Sequence, residues 1–203
     1  KKYKEKKHIS YASKVIATSK QTLEDFKKCN NFNNLTKFEY IPNGFENDLY
    51  DWKELNSNSE IIKIGYVGSF YYDPVANDNL LKPWYKKRGH KILQYVPNKQ
   101  DWKYRSPFYF FSAFRRLIDS NEKYAKKLEI HFIGDHPKWL MEMISVFGLQ
   151  RFITLHGVKT RQESIQFQLQ MDCLLITSAK VIGGRDYSIA GKTFEYFQVQ
   201  RPV

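Results

Sequence analysis

The 203-residue sequence predicts an α/β fold, a doubly wound, Rossmann-like parallel sheet that is truncated near its last strand. Three observations carry that expectation. Short runs rich in β-branched and aromatic residues, "IIKIGYVGSF", "LEIHFIG", "FITLHG" and "CLLITS", alternate with segments of helical period, as strands joined by crossover helices do. The first run is nearly continuous in hydrophobicity, which suits a strand covered on both faces. Gly68, Gly134 and Gly157 stand where three of these runs give way to the next element.

The elements follow in order. "KKYKEKKHIS" is a polar, basic lead with no apolar face and reads as a solvated helix end. "KVIATS" supplies a short strand, and "SKQTLEDFKKC" a helix with Ser19 as N-cap, Leu23 and Phe26 one step apart, and lysines in its last turn. Asparagine-rich "CNNFNN" ends that helix, and "FEYIPNG" is a second short strand closed by Pro42, Asn43 and Gly44. The polar spacer "NSNSE" follows, so a domain boundary is placed between Asn43 and Glu60, giving domains at 1–45 and 46–203. After Gly68 comes an insertion at about 71–106, rich in Trp, Tyr, Lys and Pro and long for a compact α/β connection. It reads either as a lid or acceptor platform whose aromatics stack on sugar rings or bases, or as a segment packing those aromatics on its own domain.

"FYFFSAFRRLIDS" is amphipathic at helical period, with Phe110, Phe114, Leu117 and Ile118 on the stripe expected to face the core. "PKWLMEMISVFG" places Pro137 in a first turn and Gly148 at a C-terminal cap. "TRQESIQFQLQ" opens with Thr160 and Glu163 at capping-box spacing. "GKTFEYF" opens a last helix, and "RPV" stands where a fifth strand should begin.

Composition limits the partners. With 42% hydrophobic and 16% aromatic residues the chain is too apolar for disorder. No apolar run approaches the roughly 18 residues of a membrane span. No signal-peptide pattern opens the sequence, although a chain that begins without Met can be an excised piece. Cys29 and Cys173 lie far apart and are expected as free thiols in a reducing, cytoplasmic compartment, with no metal site. A net charge of +12 suits a polyanion, an anionic membrane surface or phosphorylated substrates. The basic residues are scattered and form no nucleic-acid motif, so nucleic acid is not an expected partner, while peripheral association with a membrane's inner face stays open.

Chemistry is expected around "SAKVIGGRDYSIAGKTFEYF", Ser178 to Phe197. The loop carrying Gly183, Gly184, Arg185 and Asp186 leaves the carboxyl end of a strand, where open α/β sheets bind ligands. Lys192 and Glu195, three apart, share one helical face, and amides at that helix N-terminus favour an anion such as a diphosphate. A cation for phosphate and a carboxylate for hydroxyls point to a sugar nucleotide. Gly68, Gly134 and Gly157 should border the same crevice, although a tight turn explains each as well. Arg105, just before the Phe-rich helix, is either within reach of a phosphate there or an ordinary surface arginine. His131 reads as a satisfied sheet-face histidine, whereas His136 and His156 sit at loops without an identifiable partner. Asp186 and Glu195 could pair as in glycoside hydrolysis, but the neighbouring lysine, arginine and glycines suit phosphate better. No Walker sequence or dinucleotide fingerprint is present.

"VIATSKQTLEDF", "YIPNGFENDLY", "IKIGYVGSF", "LEIHFIGD", "FITLHGVKTRQESIQFQLQMDCLLITS" and "GKTFEYFQVQRPV" together resemble the GT-B-fold glycosyltransferases, in particular the large bacterial lipopolysaccharide and capsule sugar transferase group. The resemblance implies that residues 1–45 are the tail of an acceptor domain with its "IPNG" connector, and 46–203 a donor-binding domain. It implies Glu195 on the ribose hydroxyls, Val158 by the base with Gly157 and Gly134 lining the nucleoside, and Gly68 and Ser69 in the first-strand turn. Arg105 and Lys192 would neighbour the diphosphate, and Gly183, Gly184, Arg185, Asp186 and Ser188 would line the diphosphate and sugar. Many members carry two glutamates separated by seven residues; here Tyr187 occupies the first of those positions, beside Asp186. The implied reaction moves a sugar from a UDP- or GDP-linked donor, a substrate and not a cofactor, to a saccharide or lipid-linked acceptor in surface polysaccharide or glycoconjugate synthesis. The catalytic residues stay unassigned, a base belongs to the other domain, and these residues alone would bind donor at best. The alternatives are a non-catalytic nucleotide or sugar binder, or a sugar-nucleotide epimerase, on the same fold.

Overall fold

Parallel strands need helices to return the chain, and the computed structural model meets that need twice over, describing residues 2–30, 36–45, 60–86, 100–178, 180–183 and 189–203. The chain divides into two compact units, Lys1–Phe45 with Tyr187–Ile189, and Glu46–Asp186 with Ala190–Val203. In the smaller unit, α1 (Lys2–Tyr11) precedes β1 (Val15–Ala17), α2 (Lys20–Asn30) and β2 (Phe38–Tyr40), and the two strands pair in parallel with Val15 opposite Phe38. Ser19 caps α2 by accepting from the Thr22 amide at 3.1 Å. Ile9, Ala17, Leu23 and Phe38 form its core, so α1 is not the wholly solvated segment expected: one apolar residue, Ile9, is enough to anchor it.

The larger unit carries β3 (Ile62–Val67), α3 (Pro74–Leu81), β4 (Gln100–Asp101), α4 (Phe108–Ser120), α5 (Glu122–Ala125), β5 (Leu128–Ile133), α6 (Lys138–Val146), β6 (Ile153–Leu155), α7 (Arg161–Leu169), β7 (Cys173–Leu174), β8 (Lys180–Val181) and α8 (Lys192–Gln198). Its main sheet has four strands, all parallel, in the order β6-β5-β3-β7. Alternation along β5 decides how that sheet is covered. Leu128, Ile130 and Phe132 point into one cluster with Tyr66 of β3 and with Phe111, Phe114, Ile118, Leu140 and Ile144, contributed by α4 and α6. Ile133 joins a second cluster with Ile165, Phe167, Met171, Leu174, Tyr196 and Val199, contributed mainly by α7 and α8. Helices therefore lie on both faces, the doubly wound arrangement. Beyond β7, the Leu174 amide donates to the Pro202 carbonyl at 2.8 Å, so the "RPV" segment lies alongside that strand.

Local signals set the helix ends. Thr160 and Glu163 form the capping box, with the Glu163 carboxylate accepting from the Thr160 amide at 2.8 Å. At the end of α6 the Leu149 amide donates to Ile144 and the Gly148 amide to Ser145, a Schellman closure that needs a left-handed residue, supplied by Gly148 at φ 62°. Pro137 is the N-cap of α6 and not a residue of its first turn; its ψ of 153° is extended. The stripe on α4 is also rotated from expectation: Phe111, Phe114 and Ile118 are buried, Phe110 packs at the margin, and Leu117 is 40% exposed.

The insertion is not one long loop, because α3, a short 3-10 turn at Trp84–Lys86 and another at Trp102–Arg105 break it up; residues 87–99 lie outside the described residues. Tyr72 of the insertion packs on its own unit, meeting Trp139 edge to face at 5.0 Å, whereas Tyr71 and Tyr85 are exposed; the Trp102 amide donates to the buried Asn77 side chain at 2.9 Å. Among the described residues no helix is long and apolar enough to cross a membrane.

The turns after β3 and β5 touch. Gly68 donates to the Ile133 carbonyl at 2.8 Å, and Gly134, at φ 138°, lies against it so closely that a Cβ there would sit 2.5 Å from the Gly68 carbonyl oxygen. Neither a side chain nor that dihedral is tolerable at Gly134 without moving backbone. Gly134→Ala is expected to cost about 2 kcal/mol or more, read from urea unfolding midpoints; an unchanged midpoint would show that the two turns do not pack this way.

Candidate functional site

The strand order defines where a crevice opens. From β3 the chain steps to β5 and then β6 on one side, and then crosses back to β7 on the other, so the direction of winding reverses between β3 and β7. Ligands of open α/β sheets sit outside the carboxyl ends of strands at such a switch point.

At this point the ladder stops early. Leu175 donates to the Gly65 carbonyl at 2.7 Å, and beyond it the two backbone groups of Val67 are taken by side chains of α8. The Val67 amide donates to the Tyr196 hydroxyl at 3.1 Å, and its carbonyl accepts from Lys192 Nζ at 2.8 Å. Residues four apart on a helix share a face, so one turn of α8 closes the end of β3. Lys192 Nζ also lies 3.7 Å from the centre of the Tyr66 ring, a cation–π contact. Burial lowers the Lys192 ammonium from 10.5 to about 8, and the nearby Glu195 carboxylate opposes that shift only in part.

Arg105 is close enough for its charge to act on the Tyr66 phenol. Its carbonyl accepts from the Thr177 hydroxyl at 3.3 Å, which ties the 3-10 turn Trp102–Arg105 to the segment leaving β7. Its guanidinium stacks 4.7 Å from the Trp102 ring, and its Nε is buried with no hydrogen-bond partner among the described residues. Burial raises the Tyr66 phenol well above its ordinary range, and Arg105 is near enough to pull in the opposite direction. Lys192 on the ring face and Arg105 through its charge thus both act on one buried tyrosine.

The insertion also meets the loop after β7. β4 and β8 form a two-residue antiparallel ladder, Gln100 opposite Val181 and Asp101 opposite Lys180, and Lys180 Nζ lies 5.4 Å from the Tyr104 ring. The ladder leads directly into Gly183. Gly184, Arg185, Asp186 and Ser188 lie outside the described residues.

Glu195, one turn beyond Lys192, is half-buried, and its Oε1 accepts from Gln168 Nε2 at 2.6 Å. Gly134 donates to the Gly157 carbonyl at 3.0 Å, which brings the turns after β3, β5 and β6 into one line, with Ser69 following Gly68 and accepting from the Tyr66 hydroxyl at 3.2 Å. Val158 is 79% exposed beside Gly157. The structure therefore assembles Gly68, Ser69, Gly134, Gly157, Lys192, Glu195 and Arg105 along the carboxyl ends of the strands.

The histidines are engaged elsewhere. His131 bonds His156 at 3.1 Å and Glu129 at 3.2 Å, so it is a satisfied sheet-face residue. Burial, then the neighbouring His131, lowers the His156 pKa. His136 Nε2 is buried without a partner among the described residues. Cys173 is a free thiol, whereas the Cys29 side chain is not described. Among the described residues no His, Cys, Asp and Glu cluster could hold a metal ion. Sequence reasoning missed Tyr66, Tyr196, Gln168 and Asn77; only Gln168 carried a signal, as a polar residue four positions from Ser164 on the buried stripe of α7.

No protein-family model matches the sequence, and no curated protein does. Solved structures match in shape. TarM superposes with a TM-score of 0.58 at 13% identity, over 99% of this chain and 30% of its own. A mutant of S. aureus TarM, in complex with fondaparinux, alpha-GlcNAc-glycerol and UDP, superposes with a TM-score of 0.54 at 11% identity, over 95% and 29%. The fold is that of the GT-B glycosyltransferases. At such identities the likeness is one of fold, and the chain spans about three tenths of the length of the GT-B structures it matches.

Lys192 gives the site a pH signature. In the folded chain it loses its proton at about 8 instead of 10.5, so between those values the unfolded chain binds more protons and stability rises with pH. Below about 8 the cost of burying the ammonium is fully present. The stability of the wild type relative to Lys192→Met should therefore improve from pH 7 to pH 10, measured by denaturant midpoints at each pH; a flat difference would mean that the ammonium is solvated.

Proposed function

We propose that this chain supplies the nucleotide-sugar-binding part of a glycosyltransferase. The observation that carries the reading is the buried Lys192 on the Val67 carbonyl and the Tyr66 ring at the β3/β7 switch point, with Glu195 one helical turn away and the charge of Arg105 acting on the same tyrosine. Cations in a desolvated recess suit a diphosphate, and a carboxylate that keeps free lone pairs suits a vicinal diol. Lys192 and Arg105 contact the diphosphate, Glu195 holds the ribose hydroxyls, and Gly134, Gly157 and Val158 border the nucleoside. Gly68 and Ser69 form the first-strand turn beside the donor, and Gly183, Gly184, Arg185, Asp186 and Ser188 are the further candidates for binding its diphosphate and sugar.

In such a site the leaving group is a nucleoside diphosphate. Positive groups already in place stabilise its developing charge without reorganising, which is how they lower the barrier. The donor is UDP- or GDP-linked and no cofactor takes part; UDP is present in the S. aureus TarM complex. The acceptor hydroxyl, on a saccharide or lipid-linked glycan, and any base acting on it belong to the acceptor domain, of which residues 1–45 form the tail. Surface polysaccharide or glycoconjugate synthesis is the setting, and the net charge of +12 fits work at the anionic inner face of a membrane. One feature favours a non-catalytic binder instead: Tyr187 stands where many members of the glycosyltransferase group that the sequence resembles carry the first of two glutamates.

Calorimetry of the full-length protein with UDP-, GDP- and ADP-sugars tests the reading. One of them should bind, and Lys192→Ala or Glu195→Ala should each weaken it by about tenfold or more. Affinity should fall as pH rises through about 8, where Lys192 discharges. Adding acceptor glycan should release nucleoside diphosphate; tight binding without release would favour the non-catalytic binder, and no binding at all would sink the site.

A further inference from the structure

We infer that Gln168 is a positioning residue for Glu195, fixing the carboxylate before any ligand arrives; the inference rests on the assignment of Glu195 to ribose hydroxyls. Gln168 is on α7, is completely buried, and belongs to a different element from its partner, 27 residues away in the chain. Its Nε2 donates to Glu195 Oε1 at 2.6 Å and to Ser164 Oγ at 3.4 Å. Its own Oε1 is buried with no hydrogen-bond partner among the described residues.

That combination is unfavourable for packing alone. The surrounding cluster of Ile165, Phe167, Met171, Leu174, Tyr196 and Val199 is apolar, and an unpaired carbonyl in such a setting works against folding. Methionine or leucine would fill the space without that penalty. What the amide adds is direction. Held by Ser164 on its own helix, it presents one N–H to one oxygen of Glu195, and a charge-assisted bond of this length fixes the carboxylate rotamer. The amide is neutral and adds no counter-charge at Glu195, whereas a lysine or arginine at the same place would. Each carboxylate oxygen offers two lone-pair sites, so one bond from Gln168 leaves the others for a diol. A carboxylate already in place loses less side-chain freedom on binding.

The test compares hydroxyl recognition with overall binding. In the full-length protein, whichever of UDP, GDP and ADP binds best is titrated beside its 2′,3′-dideoxy analogue. The wild type should prefer the ribose form by about tenfold or more. Gln168→Met should reduce that preference three- to tenfold, leave affinity for the dideoxy form unchanged, and leave the melting temperature equal or higher. A preference that survives Gln168→Met overturns the inference, as does an equal loss for both forms, which a purely structural role would give. A second readout needs neither ligand nor a Gln168 variant: the Gln168 side-chain amide protons should resonate downfield and exchange slowly, and Glu195→Gln should abolish both properties. If none of the diphosphates binds, the proposed function fails, and this amide signature still decides whether Gln168 holds Glu195; its absence from the ligand-free wild type overturns the inference.

Discussion

Everything at the carboxyl edge of the larger unit depends on how Val67 is satisfied. A strand end buried in a sheet must find partners for its amide and carbonyl. Here the neighbouring strand has already turned away, and the Tyr196 hydroxyl and Lys192 ammonium take its place. This substitution has two effects at once. It lets β3 and β7 diverge, which opens the switch point, and it fixes α8 so that Lys192 and Glu195 point to the same edge. A backbone partner from β7 would have closed that edge.

Much of the fold was legible because local chemistry agrees with the tertiary outcome. Thr160 and Glu163 announce a capping box, Gly148 a Schellman closure, and the strand runs stand apart by β-branching. The glycines after β3 and β5 were visible as turns, but their reason was not: Gly134 is glycine because the Gly68 carbonyl lies where its side chain would be. Contacts between residues 66 positions apart leave no local pattern. The stripe on α4 was misread for a related reason. Phe114 and Ile118 belong to either choice of stripe, and only the position of the sheet selects Phe111 over Leu117 as their companion.

The site was legible as residue types more than as geometry. Lys192 and Glu195 share a helix, so spacing alone places them together. Arg105 comes to the same edge through the Thr177 contact, 72 residues away, and through an insertion whose structure begins with a helix invisible to a loop-length argument. The β4–β8 ladder gives that insertion a further consequence. It pairs the return arm of the insertion, which runs on to Arg105, with the strand leading into Gly183. Packing on its own domain and shaping the crevice are thus compatible roles for the same segment.

The electrostatics of the edge explain why a buried ammonium is tolerated. Lys192 gives up solvent for one carbonyl, the face of Tyr66 and the proximity of Glu195, and these do not restore its ordinary affinity for a proton. Arg105, whose Nε has no hydrogen-bond partner among the described residues, adds positive potential at the same tyrosine. An anion bound beside Lys192 would supply the missing counter-charge and raise its pKa again, so binding and protonation would reinforce one another. By linkage the coupling is reciprocal: the factor by which a bound anion raises the proton affinity of Lys192 is the factor by which that proton raises the affinity for the anion. A lysine left in water would meet the anion through a higher dielectric and contribute less to binding for that reason.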